Sequence, residues 1–175
     1  MEVNVNIKKE IIRDFLQYLF PDSDDETVIV SHSSSAGKFI CTQVSYCDRP
    51  LEQQGNIRMQ LPICPALQTG PRRFLYFSPE AEVRINDYLE IAFDLDFDRY
   101  WLEGQKLGMK QQDIITAYIV SRKLVSREAD HEMLKKRMYR QSMKTMHSRR
   151  ESLLNRAKYK DRQFRETLPD EKKIF

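Results

Sequence analysis

The chain has 175 residues, 41% hydrophobic and 31% charged, enough for one domain or for a small domain with an appendage. Its net charge of +3 hides a polarity: residues 1–100 carry ten basic against sixteen acidic side chains, and residues 101–175 carry nineteen against ten. Three cysteines without a close pair (Cys41, Cys47, Cys64) speak against a disulfide framework or a zinc site. The start of the chain has no signal core, and no apolar run approaches the roughly 20 residues that span a bilayer.

Ile7–Phe20 reads as a short amphipathic helix, with Ile7, Ile11, Ile12, Phe15, Leu16 and Leu19 on one face and Pro21 ending it. The acidic run Asp22–Glu26 lacks the glycine and distal glutamate of a calcium loop and reads as a solvated turn. Strands are expected at Thr27–Ser31, Lys38–Tyr46, Asn56–Ile63 and Arg73–Phe77, the middle two from alternation of apolar and polar residues. The Ser-rich loop His32–Gly37 precedes Lys38 as a phosphate loop would. However, His32 stands where the first glycine is needed and Phe39 where Ser or Thr would bind magnesium, so a hairpin connection is expected instead. Asp48–Gln54 and Pro62–Pro71 read as irregular loops.

Ser78-Pro79-Glu80 is a strong helix start: a hydroxyl for an orphan amide, a proline at the first helical position, and acidic residues at the positive end. Ile85, Tyr88, Leu89, Ala92 and Phe93 continue it as an apolar stripe that should pack on the sheet. Asp94, Asp96 and Asp98 alternate as a metal site might, but no histidine or second acidic cluster accompanies them. They read as the junction to a second helix, which runs from Phe97 through Tyr100 and Trp101 to Leu107.

Gly104, Leu107, Gly108, Met109 and Ile114 satisfy the spacing of a helix-turn-helix unit, and the Gly104–Ile114 stretch resembles that general signature. The resemblance implies that Lys110, Gln111 and Gln112 open a reading helix whose polar side chains reach base edges. Ile115 and Ile119 occupy places that would then face DNA. The helix Gln111–Ser121 is apolar on nearly all sides, which points to burial and to an ordinary helical hairpin as the competing reading.

Ser126 is expected to cap a last helix, acidic at its start (Glu128, Asp130, Glu132) and basic after it. Lys135, Lys136, Arg137, Arg140, Lys144, Arg149 and Arg150 fall between Met133 and Arg150, with no acidic residue among them. As one helix, Arg127–Thr167 would reach about 60 Å, so it must project, bend back, or order on binding. The block of one sign lacks the i,i+4 pairs of a merely solvated face and calls for an anionic partner.

The sequence therefore predicts an α+β protein. A compact unit spans 1–125, with a helix and a few-stranded antiparallel sheet in 1–77 and helices in 78–125, and a basic helical extension spans 126–175. Its expected role is non-enzymatic: nucleic-acid binding, DNA or RNA, or regulation, in the cytoplasm, with the seven basic residues above as phosphate contacts and no cofactor. His32, His131 and His147 have no sequence-local catalytic partners. The alternative is a protein–protein assembly or self-association module using the Met-bearing helix from Met133 to Met146. Attachment to an anionic membrane is a weaker reading, since no Trp follows Val125.

Overall fold

The computed structural model describes residues 1–23, 27–51, 54–63, 74–125, 127–139, 148 and 151–156. In chain order its elements are β1 (Glu2–Val5), α1 (Glu10–Leu19), β2 (Thr27–Ile29), α2 (Ser35–Thr42), β3 (Val44–Cys47), β4 (Ile57–Gln60), β5 (Phe74–Phe77), α3 (Pro79–Lys106), α4 (Gln111–Ser121) and α5 (Glu128–Tyr139). Residues 151–156 are helical as well. The architecture is α+β.

The central strand is β4, antiparallel to β1 with Val3 opposite Met59, and parallel to β2 with Val28 opposite Met59. The expected all-antiparallel sheet is thus corrected. The chain leaves β2 through α2 and β3 before entering β4, and such a crossover returns it in the same direction. β3 and β5 form a separate antiparallel pair, with Val44 opposite Phe77. Strand alternation sends Val3, Val5, Val28, Met59, Leu75 and Phe77 into the core, while Glu2, Arg58 and Gln60 face outward.

The helix expected from Ile7 begins only at Glu10, and two asparagines explain the difference. Asn56 Nδ2 donates to the Ile7 carbonyl and its Oδ1 accepts from the Ile7 amide, both at 2.8 Å. Asn86 does the same across neighbouring residues: Oδ1 accepts from the Lys8 amide at 3.0 Å, and Nδ2 donates to the carbonyls of Asn6 at 2.8 Å and Glu82 at 2.9 Å. These side chains satisfy residues 6–8 as a neighbouring strand would, so that segment stays extended. Asn86 is only 5% exposed, and its amide bonds on both ends account for a polar group at that depth.

The expected strand Lys38–Tyr46 is overturned in its first half. Ser34 caps a helix there, its hydroxyl accepting from the Gly37 amide at 2.9 Å, and Ala36, Phe39 and Ile40 bury one helical face. The hairpin expected over His32–Gly37 is therefore a strand-to-helix turn. It is so close to β2 that a Cβ at Gly37 would lie 1.9 Å from the Ser31 carbonyl oxygen. Only Val44–Cys47 remains a strand.

The second correction concerns Asp94–Asp98, expected as a junction between two helices. α3 runs unbroken for 28 residues, capped by Ser78, whose hydroxyl accepts from the Ala81 amide at 3.2 Å. Nothing in Pro79–Lys106 before Gly104 breaks a helix, and the three carboxylates find cations on the helices that follow.

One contiguous core joins the sheet, α1, α3, α4 and α5, from Val3 through Phe15, Ile85, Phe97 and Trp101 to Tyr118 and Leu134. Leu134 has no solvent exposure, so the first half of α5 is packed into the same body as the sheet. Farther along, Arg156 reaches Asp87 of α3 at 3.5 Å, which sets the 151–156 stretch back beside α3.

Candidate nucleic-acid interface

The turn from α3 to α4 is a Schellman motif. Leu107 is the C-cap, the Gly108 amide donates to the Gln105 carbonyl at 3.0 Å, and the Met109 amide donates to the Gly104 carbonyl at 3.1 Å. Gly108 sits at φ +71°, the left-handed position the motif needs and one that a side chain resists. Gly104 serves a different purpose: a Cβ there would come within 2.7 Å of Ile114 Cγ1, so the absent side chain lets α4 cross α3 closely. The glycine spacing read from the sequence thus has a packing cause.

α4 opens without a side-chain cap, and Lys110, Gln111 and Gln112 are all exposed at its start. Ile114, Ile115, Tyr118 and Ile119 are buried. Ile115 and Ile119 therefore face the core, which leaves Gln112, Asp113, Thr116 and Val120 outward. That outward face holds an acidic residue and no basic one, with Lys110 and Lys123 at its two ends.

Past α4 a second Schellman motif follows, with the Lys123 amide donating to the Val120 carbonyl at 3.1 Å and the Leu124 amide to the Ile119 carbonyl at 3.0 Å. Here the left-handed position belongs to Lys123, at φ +53°. Leu124 buries against this end and turns the chain toward α5.

Before the turn, Arg122 packs among three tyrosines, its guanidinium 4.6 Å from the Tyr18 ring, 5.3 Å from Tyr100 and 5.5 Å from Tyr118. It grips Asp96 in a fork, Nε to Oδ2 at 2.7 Å and Nη2 to Oδ1 at 3.1 Å. That hydrogen bond raises the pKa of Arg122 further. Burial, and then the nearby Asp96 charge, push the Tyr118 phenol well above its ordinary range. The Tyr118 hydroxyl lies near Asp96 but makes no hydrogen bond of ordinary geometry.

The basic side chains expected on the last helix divide into two groups. Lys136 is exposed, and Lys135 is 37% exposed with a loose Glu132 partner at 3.7 Å. Arg137 turns inward: it pairs with Asp94 and, at 2.9 Å, with Asp98, and lies 5.8 Å from the Phe97 ring centre. Its side chain is 13% exposed, so it holds α5 to α3 and offers little to a phosphate. Arg140, Lys144, Arg149 and Arg150 lie outside the described residues, as do Ser126, the expected cap, and the side chain of Met138.

Sequence reasoning missed Asp94 and Asp98 as a pair. They are four residues apart on one helix, hence on one face, and that spacing was the available signal. Among the described residues no group of three His, Cys, Asp or Glu side chains is gathered as a metal would require. No helix there is long and apolar enough to cross a membrane. No protein-family model, no curated protein and no solved structure matches the chain.

Proposed function

We propose that the chain is a non-enzymatic nucleic-acid-binding or regulatory protein that holds phosphates with Lys135 and Lys136, at the surface of α5, and with the basic residues that follow them in the sequence. The observation that carries this reading is the sorting of charge on α5. Arg137 is turned inward onto Asp94 and Asp98, while Lys135 and Lys136 remain at the surface. They do so at the head of a stretch, Met133–Arg150, without one acidic residue. A helix selected only to pack would mix signs on its solvent face. Lys110, Gln111 and Gln112, exposed at the start of α4, are the proposed contacts nearer the bases. A cytoplasmic setting goes with this reading, since the three cysteines of the sequence include no close pair.

The direct test is anisotropy titration of the full chain onto labelled duplex DNA and single-stranded RNA at low salt. Saturable binding that weakens steeply with added salt is expected, and absence of binding to both overturns the reading. A second reading, assembly with another protein chain, draws on Met133, which is 40% exposed beside Lys136. In that case sedimentation would show association that Met133→Glu abolishes.

A further inference from the structure

Away from α5, a polar cavity of about 540 Å³ opens between α1, the start of β4 and the connection into α5. Three arginines from distant parts of the chain meet there: Arg13 of α1, Arg58 of β4 and Arg127 ahead of α5. One carboxylate, Asp14, accompanies them, with the amides Gln17 and Asn56. Three arginines and one carboxylate line it, two of the arginines coming from the acidic half of the chain, and Glu2, Glu10 and Asp130 flank them.

The arginines are held unequally. Arg127 is fixed, donating to Asp14 Oδ2 at 2.7 Å and Asp130 Oδ2 at 3.2 Å, with Glu10 at 3.2 Å, and the Asp14 hydrogen bond raises its pKa most. Among the described residues, Arg13 and Arg58 each have a single, exposed partner. Glu10 lies 3.2 Å from Arg13 and Glu2 lies 3.9 Å from Arg58, each glutamate side chain being 60% exposed. Exposed pairs of this kind contribute about 0–1 kcal/mol, so an anion with several oxygens displaces them at small cost. Planar guanidinium forks match phosphate oxygens two at a time.

The volume falls within the roughly 300–1,000 Å³ usual for small-ligand sites. Its walls hold the polar side chains of Asn4, Gln17 and Asp14, a lining suited to hydroxyls, and Val28 and Ile57 but no aromatic ring on which a base would stack. We infer that this cavity binds a small hydroxylated phosphate ester, of the sugar-phosphate class, through Arg13 and Arg58, beside an Arg127 already held by its carboxylates. This site is separate from the nucleic-acid reading and stands or falls without it.

The experiment is thermal unfolding of the full chain with ribose 5-phosphate, inorganic phosphate and unphosphorylated ribose, each at about 10 mM, where a ligand that prefers the folded state raises the midpoint. Ribose 5-phosphate should raise it most, inorganic phosphate less, and ribose not at all. Arg13→Gln with Arg58→Gln should abolish the rise, an affinity loss of at least about tenfold for two lost charge-assisted contacts. Lys135→Gln with Lys136→Gln should leave it intact. Should the double variant fold poorly, Arg58→Gln alone, at a side chain 55% exposed, gives the same comparison. No rise with any phosphate, or a rise indifferent to Arg58→Gln or lost with the two lysines, overturns the assignment.

Discussion

Arg137 on α5 donates to Asp98 of α3 at 2.9 Å, and that aspartate has no solvent exposure at all. With Asp94 one turn earlier on the same face, the guanidinium closes a partly buried ion cluster between two helices 39 residues apart in sequence. Removing one partner of such a cluster leaves a charge where water cannot reach it. Arg137→Ala should therefore destabilise the protein by about 3–5 kcal/mol, whereas Lys136→Ala, one residue away and exposed, should change it by less than about 0.5 kcal/mol. Urea denaturation of the two variants makes the comparison, and equal midpoints would refute it. A chain ending at residue 125 loses Arg137 and the fully buried Leu134 together. It is expected to be less stable still, even though it contains every described strand.

Tyr118 offers a test in the opposite direction. It is fully buried, its hydroxyl lacks a hydrogen-bond partner, and its pKa is raised by burial and then by Asp96. Tyr118→Phe should leave stability near neutral pH unchanged or raise it by about 1 kcal/mol, since it removes an unsatisfied buried polar atom. The pH dependence follows from the sign of the shift. In the unfolded chain the phenol ionises near its ordinary value of about 10, while in the folded protein it stays protonated to higher pH. Stability is thus fully present below about pH 10 and lost as pH rises beyond it. Tyr118→Phe should flatten that decline in urea midpoints measured at about pH 9 and pH 11, and an unchanged slope would count against the burial argument.

Two left-handed residues make a paired prediction. Gly108 and Lys123 hold the same place in successive Schellman motifs, but only one of them is a glycine. A side chain in that conformation costs about 1–2 kcal/mol, partly offset by the greater freedom that glycine has when unfolded. Lys123→Gly should stabilise the fold by about 0.5–1 kcal/mol and Gly108→Ala should destabilise it by about as much. Differential scanning calorimetry would read the two shifts, and shifts of the same sign would refute the account.

Much of the helical half was legible from local chemistry. Ser78 and Pro79 mark the start of α3, and Ile115 and Ile119 announce that α4 is buried on the side a reading helix would turn to DNA. What escaped had its cause elsewhere in the chain. The alternation Ile40, Thr42, Val44, Tyr46 suits a strand, but Ser34 and the Phe39–Ile40 face suit a helix, and packing decided between them. The carboxylates 94, 96 and 98 suggested a break because their partners, Arg122 and Arg137, lie 26 to 43 residues away. The Arg13, Arg58 and Arg127 cavity left no local signal, being assembled from three separate segments.

The division between Arg137 and its neighbours also sharpens the nucleic-acid test. If Lys135 and Lys136, with residues beyond them, make about five phosphate contacts, the slope of log K against log salt on duplex DNA should lie near −4.5, at about −0.9 per contact. Lys135→Gln with Lys136→Gln should make it shallower by up to about 2, uniformly across sequences, because phosphate contacts orient without specifying. Arg137→Gln should leave the slope alone once the folded fraction is allowed for, since its charge already belongs to Asp94 and Asp98. Gln111→Ala and Gln112→Ala probe something else. Base contacts from the start of α4 would be lost without any change of slope, relaxing target discrimination by about 1–3 kcal/mol for each good contact. The outward α4 face has Asp113 and Val120 but no cation, so the phosphate effect should be the larger. A slope that Arg137→Gln reduces and the two lysines do not would invert the proposed geometry of α5. A flat salt response for every variant would leave the exposed Met133 and the assembly reading as the stronger explanation of this helix.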